Sequence, residues 1–252
     1  MDSVVFACKY ATNVVPLHGF VIFPDMEWQN IIESLLSLDR QWLLAINGWN
    51  APWADTLMWY ISKSTTWLPL YALLVWLIVW QYGVEAARCC HSRRFGVIQC
   101  LLIFAAFAVA VGGADYISSG IIKHWVCRPR PTHEPALDGM LHIVRGYTGG
   151  MYGFVSSHAA NTMACALLFS LIWRRKAATL SLMVWVAMNC YSRMYLGVHY
   201  PLDILGGLIV GSLVAGGAYL GLRAVLNRVK TSCMGLETGE QSDSQAAEGS
   251  EG

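Results

Sequence analysis

Ser192-Arg193-Met194-Tyr195-Leu196-Gly197-Val198-His199-Tyr200-Pro201-Leu202-Asp203 lies between two strongly apolar segments of a 252-residue chain. The stretch gathers an arginine, a histidine and a carboxylate into a short span. Ionisable groups at membrane depth are energetically expensive, and a cluster of them there marks function by default. An arginine suits an anion, a histidine can act as nucleophile or as acid and base, and a carboxylate can orient a histidine. Pro201 fits the first position of a helix, which leaves Asp203 in the first turn, where the helix dipole favours an acid. Taken alone, the stretch also reads as a short loop with a structural histidine.

Composition supports the membrane reading. Hydrophobic residues make up 56% of the chain and charged residues 13%, against about 25% charged in a soluble domain. The net charge is +1 and no basic run suits nucleic acid, so no nucleic-acid partner is expected. The eight cysteines show no CxxC spacing, and several fall inside apolar spans, where cysteine behaves as a small hydrophobe. No disulfide framework is expected. Cys89-Cys90-His91 could suggest a metal site locally, but it is not read as one.

Taken in order, residues 1–25 are moderately apolar but broken by Lys9, Asn13, Pro16 and His18. They lack the charged start and cleavage site of a signal peptide and read as an uncertain leader or as an extension upstream of a start at Met26. Over 27–46, Ile31, Leu35, Leu38, Trp42 and Ile46 recur at helical spacing opposite Glu33 and Arg40. That pattern suits a helix lying in the membrane interface, or one facing a core. A turn follows at Asn47-Gly48, then a short helix over 53–62. Five apolar spans come next, at 67–82, 95–117, 156–173, 177–191 and 203–222, each near the ~20 residues a crossing needs. Five crossings put Arg88, Arg93 and Arg94, then Arg174, Arg175 and Lys176, then Arg223, Arg228 and Lys230 on one side, which by the positive-inside rule is the cytoplasm. The fold class is therefore all-α: a polytopic membrane helical bundle of about five transmembrane helices plus an N-terminal amphipathic helix. Residues 26–230 form the membrane-embedded domain, and 231–252, rich in Glu, Ser, Gln and Gly, a disordered cytoplasmic tail.

The opposite face holds three chemical segments. In the first, Lys123 ends a span and is followed by Arg128-Pro129-Arg130-Pro131, whose Arg-Pro pairs hold the backbone extended. Arg128, with His124, His133 and Arg145, reads mainly as part of a solvated outer loop, the alternative being contact with a bound head group. The second is Val155-Ser156-Ser157-His158, with Ser156 suited to cap a helix whose free N–H groups attract anions. The third is the stretch quoted above. Asp115, near the outer end of the second span, would either support Lys123 or sit at the interface.

Lys123-x6-Arg130-Pro131, Ser156-Ser157-His158 and Ser192-Arg193-x5-His199-x3-Asp203 together resemble the three-part signature of the type 2 phosphatidic acid phosphatase superfamily. The resemblance covers residues 50–222. The second part departs from the family's Pro-Ser-Gly-His. It loses a glycine's close backbone approach but keeps the hydroxyl and the histidine.

The resemblance implies that His199 is the nucleophile, forming a phosphohistidine, and that Asp203 fixes its tautomer. It implies that His158 protonates the leaving group and later activates water. Lys123, Arg130 and Arg193, with Ser156, Ser157 and nearby N–H groups, would bind the phosphate. A phosphomonoester carries about −1.5 to −2 charge, and its transfer is governed by positioning and electrostatics. Three cations supply that, and no carboxylate cluster resembles a magnesium cage. A phosphatase with no metal and no cofactor is expected.

The expected partner is a phosphorylated membrane lipid, with undecaprenyl diphosphate or lipid A favoured over phosphatidylglycerophosphate or phosphatidic acid. The site would face the periplasmic side of the cytoplasmic membrane. Oligomeric state is not legible. A transporter or lipid-binding protein would instead spread its charges along several spans, and a vanadate-type haloperoxidase would be soluble.

Overall fold

The computed structural model describes residues 26–85 and 93–248. Residues 1–25, read above as a leader or extension, lie outside the described residues, as do Arg88 and Cys89-Cys90-His91. The described chain is helical, apart from turns, loops and an isolated β-bridge between Pro129 and Tyr152. Cys100, Cys165 and Cys190 are free thiols, whereas Cys127 is disulfide-bonded, a cross-link its spacing did not announce.

Helix α1 spans Met26–Gly48 and α2 spans Pro52–Ile61, with Pro52 in the first turn, where its missing N–H costs nothing. The apolar stripe of α1 faces outward: Ile31, Leu35, Leu38 and Trp42 are exposed, while Asp39, Leu43 and Asn47 are buried at i, i+4 and i+8. That arrangement fits a helix offering its apolar face to lipid and packing on the protein through a second, narrower stripe. Asn47 fastens it. Its Nδ2 donates to the carbonyls of His142 (2.9 Å) and Tyr195 (2.7 Å), and its Oδ1 accepts from the His142 N–H (2.8 Å).

Helix α3, Leu68–Ile78, continues as a π turn over Val79–Glu85. Helix α4, Arg93–Asp115, continues through a π turn at Tyr116–Ile122 into Lys123–Val126. Helices α5, Ser157–Trp173, α6, Lys176–Tyr195, and α7, Pro201–Glu248, complete the bundle. By length and composition, Ser64–Val84, Arg94–Val126 and Pro201–Val229 can each cross a membrane. The other two expected spans differ for identifiable reasons. Helix α5 has 17 residues, or ~25 Å at 1.5 Å per residue, short of a ~30 Å hydrocarbon core. Helix α6 carries Asn189, Ser192 and Arg193 toward its end.

Helix α5 is the centre of the bundle. Ala159, Ala160, Ala164, Ala166, Leu168 and Phe169 are all buried, chiefly against α4, α6 and α7. Small residues let the backbones approach closely. A Cβ at Gly207 would collide with the Ser156 carbonyl, and one at Gly211 with the Ala160 carbonyl. Large apolar side chains such as Trp76, Leu101, Val109, Leu180 and Leu213 are exposed around the outside, as a bilayer-facing surface requires.

At the end of the bundle away from the start of α5, Arg174, Lys176 and Arg223 line a cavity of about 870 Å³ with Leu180, Met183 and Leu222. Two of the three basic clusters therefore converge at one end, as the topology reading expected. Helix α7 runs on to Glu248, across residues assigned above to a disordered tail.

Candidate active site

Three segments that are distant along the chain meet where α4 ends, α5 begins and α6 passes into α7. The π turn keeps Ser119 and Lys123 on the wall of one cavity. Cys127, in the left-handed conformation (φ 52°), stops the helix. Residues 128–130 then run extended, as the Arg-Pro pairs dictate, and pair with 151–153. The Arg130 N–H donates to the Met151 carbonyl (3.0 Å) and the Gly153 N–H to the Arg128 carbonyl (2.9 Å). Arg130 Nε donates to the Tyr152 carbonyl (3.1 Å), which fixes its guanidinium. Gly149, at φ 69°, leaves room for it, since a Cβ there would lie 2.6 Å from Arg130 Nη1.

Ser156 caps α5, accepting from the Ala159 N–H at 3.5 Å, while its own N–H donates to the Asp203 carbonyl at 2.9 Å. Ser157 follows, its Oγ accepting from Lys123 Nζ at 2.8 Å and lying 2.7 Å from Ser119 Oγ. Asp115 anchors the rim of this network through Asn161 Nδ2 (3.0 Å) and Ser119 Oγ (3.5 Å). Arg193, at the end of α6, is buried. It donates to Ser62 Oγ and, at 3.2 Å, to the Tyr147 hydroxyl. Past the turn at Gly197 (φ 69°), His199 and Asp203 are both buried, and His199 Nδ1 lies 3.4 Å from Asp203 Oδ2.

Lys123, Arg130, Arg193, His158 and Ser157 line one cavity of about 600 Å³, together with Asp115, Asn161, Tyr147 and the apolar side chains of Trp67, Tyr71, Val111 and Cys165. Arg130 Nη1 and Arg193 Nε are buried without a hydrogen-bond partner among the described residues. Buried donors on cations are costly to leave unmet, so an arrangement of this kind calls for an anion. Burial, then the nearby Arg193 charge, lowers the pKa of Arg130. Burial, followed by the charges of Arg130, Arg193 and Lys123, holds the His199 imidazole well below its ordinary range. His199 is therefore neutral at physiological pH. With Nδ1–H turned to Asp203, the lone pair resides on Nε2.

Every residue expected from the sequence is drawn into this region, with two qualifications. The Ser156 hydroxyl is spent on the helix cap and does not line the cavity, which leaves Ser157 as the hydroxyl on the wall. His199, 1% exposed, lies behind the cavity wall rather than on it.

Arg128 is not the solvated loop residue expected from the sequence. Its Nη1 is 2.9 Å from Asp203 Oδ1 and its Nη2 is 2.7 Å from Asp39 Oδ2. Asp39, Ser62, Ser119 and Tyr147 were also missed. Only the doubled Arg-Pro in the sequence hinted at any of them.

The chain is similar to known proteins. The PAP2 superfamily profile matches residues 99–225. The lipid A 4'-phosphatase of Bacteroides thetaiotaomicron is 30% identical over 182 residues, covering 72% of this chain and 75% of that enzyme. The lipid A 4'-phosphatase of Porphyromonas gingivalis is 32% identical over 188 residues, covering 75% and 74%. A crystal structure of a transmembrane PAP2-type phosphatidylglycerolphosphate phosphatase from Bacillus subtilis superposes with a TM-score of 0.51 at 21% identity, over 78% of this chain and 88% of that one, a likeness of fold. A family signature read in three parts, a profile match across the helices that carry them, and relatives similar over most of their length agree: the chain belongs to the PAP2 superfamily.

Proposed function

We propose that this protein removes a phosphate group from a bilayer-anchored lipid on the extracytoplasmic side of the cytoplasmic membrane, with lipid A the favoured substrate. The observation that carries the reading is the shared cavity: Lys123, Arg130, Arg193 and His158 line it, and His199, paired with Asp203, lies near enough to feel the charges of Arg130, Arg193 and Lys123. The phosphate oxygens bind the three cations and the Ser157 hydroxyl. Nε2 of His199 attacks phosphorus and the bond to the lipid oxygen breaks. The negative charge of the bound phosphate offsets the surrounding cations and favours a protonated His158, which gives that oxygen its proton. In the second half, His158 takes a proton from water, the hydroxide attacks the phosphohistidine, and inorganic phosphate leaves with His199 restored. The cationic side chains stabilise charge on the transferring group, so no metal ion is required for that purpose.

Two further features support a lipid substrate. The same cavity is also lined by Trp67, Tyr71, Val111 and Cys165, which suits the hydrocarbon next to a phosphorylated headgroup. The basic cavity at the other end of the bundle, with Arg174, Lys176 and Arg223, suits a cytoplasmic side by the positive-inside rule. Lipid A is favoured because the two relatives described above bear that activity in their names.

The test is phosphate release by detergent-purified protein from lipid A, undecaprenyl diphosphate, phosphatidylglycerophosphate and phosphatidic acid, with and without chelator. Lipid A should be turned over fastest, chelator should have little effect, and His199→Ala should lose roughly 10³-fold or more of the activity. Comparable release by His199→Ala, or activity that chelator abolishes and magnesium restores, contradicts the mechanism. A different best lipid contradicts the substrate.

A further inference from the structure

The geometry points to Arg128 as a positioning residue: it clamps the carboxylate of Asp203, the partner of His199, and ties that carboxylate to Asp39 on the outward-facing helix α1. The inference rests on the reading of His199 and Asp203 proposed above.

One guanidinium serves two carboxylates through different nitrogens, at 2.9 Å to Asp203 Oδ1 and 2.7 Å to Asp39 Oδ2. The carboxylate side chains are 0% and 1% exposed, and that of Arg128 is 19% exposed. Two buried carboxylates near each other repel unless a cation lies between them, and Arg128 is that cation. The guanidinium also sits 4.0 Å over the Tyr200 ring, a stacking contact that a lysine would not reproduce.

The remaining acceptor sites are used in a way that locks the start of α7. Asp203 Oδ2 accepts from the Tyr200 N–H at 3.0 Å and faces His199 Nδ1 at 3.4 Å. Asp39 Oδ1 accepts from the Leu202 N–H at 2.8 Å. Helix α1 thus grips the first turn of α7 twice, once directly and once through Arg128.

Arg128 does not line the cavity, unlike Arg130 two residues on. It therefore acts on the chemistry through Asp203, not by touching the phosphate. Because the adjoining face of α1 presents Ile31, Leu35, Leu38 and Trp42 outward, the seating of that helix in lipid and the aim of His199 become linked.

The test is steady-state kinetics on purified full-length protein for wild type, Arg128→Gln, Arg128→Lys, Asp39→Asn, the Arg128→Gln/Asp39→Asn double variant and His199→Ala, with thermal unfolding in detergent for each. Arg128→Gln should lower kcat by about 100-fold and Asp39→Asn by about tenfold, with KM within about twofold of wild type. Arg128→Lys should recover part of the loss, and the double variant should be no slower than Arg128→Gln, since the two residues act as one unit. If Arg128→Gln does not fold, Arg128→Lys and Asp39→Asn carry the test. Wild-type kcat in the folded variants, or a loss confined to KM, overturns the positioning role. Turnover by His199→Ala would instead remove the phosphohistidine reading itself. A dead His199→Ala beside fully active Arg128 and Asp39 variants refutes this inference alone.

Discussion

Ser157 stands where PAP2 relatives commonly have glycine, and its hydroxyl takes over a task of its own. It holds Lys123 Nζ at 2.8 Å and lies 2.7 Å from Ser119 Oγ, so the lysine is aimed before any phosphate arrives. A hydrogen bond to a charged group is worth about 1.5–3 kcal/mol. Ser157→Ala should therefore lower kcat/KM roughly tenfold with little change in unfolding temperature, measured on the preferred lipid. Unchanged kinetics would mean that Lys123 needs no such holder. The candidate site was largely legible at this scale, because Lys123, Arg130, His158, Arg193, His199 and Asp203 fall on the positions of the three-part signature that the chain resembles. Their supports were not. Arg128 meets Asp39 across 89 positions of sequence, and Arg193 meets Ser62 across 131. No local pattern encodes such a pairing. Ser156 shows the opposite difficulty: capping and phosphate binding were both open from its residue type, and burial decided for the cap.

At the scale of elements, α5 and α7 fix the site because their backbones nearly touch. Gly207 lies against the Ser156 carbonyl and Ala159 Cβ, at the turn that presents Ser157 and His158. Gly207→Ala should strain that contact by ~1–3 kcal/mol, lowering the unfolding midpoint by several degrees and reducing activity. Gly216→Ala, with nothing within 4 Å of an added Cβ, should do neither. Equal behaviour of the two would argue against tight α5–α7 packing as the holder of the site. Apolar runs announced the helices well, and Pro52 and Pro201 announced helix starts. The π turn over Tyr116–Ile122 was invisible, since nothing in Tyr-Ile-Ser-Ser-Gly-Ile-Ile distinguishes it from regular helix. Which face of α1 turns outward was equally open. The buried positions Asp39 and Asn47 are polar, and only their distant partners explain their burial.

Across the whole molecule, charge is sorted to the two ends of an apolar bundle. One end gathers Arg174, Lys176 and Arg223 around a cavity that no histidine lines among the described residues. The other gathers Lys123, Arg130 and Arg193 around a cavity that also holds His158, with His199 close behind. A transporter would need such charges along a path through the bundle. A surface phosphatase needs them at one mouth, facing a substrate that stays anchored in the bilayer. This division was legible as the order of basic clusters along the chain. The convergence of three segments on one phosphoryl group was an inference from their co-occurrence. The measurement that tests it most directly is rapid acid-free quenching of the protein with radiophosphorus-labelled lipid substrate, followed by peptide mapping. An acid-labile, base-stable label on the peptide containing His199, absent in His199→Ala and reduced in Lys123→Ala and Arg193→Ala, is the predicted result. Turnover with no labelled intermediate, or a label carried on another residue, would contradict it.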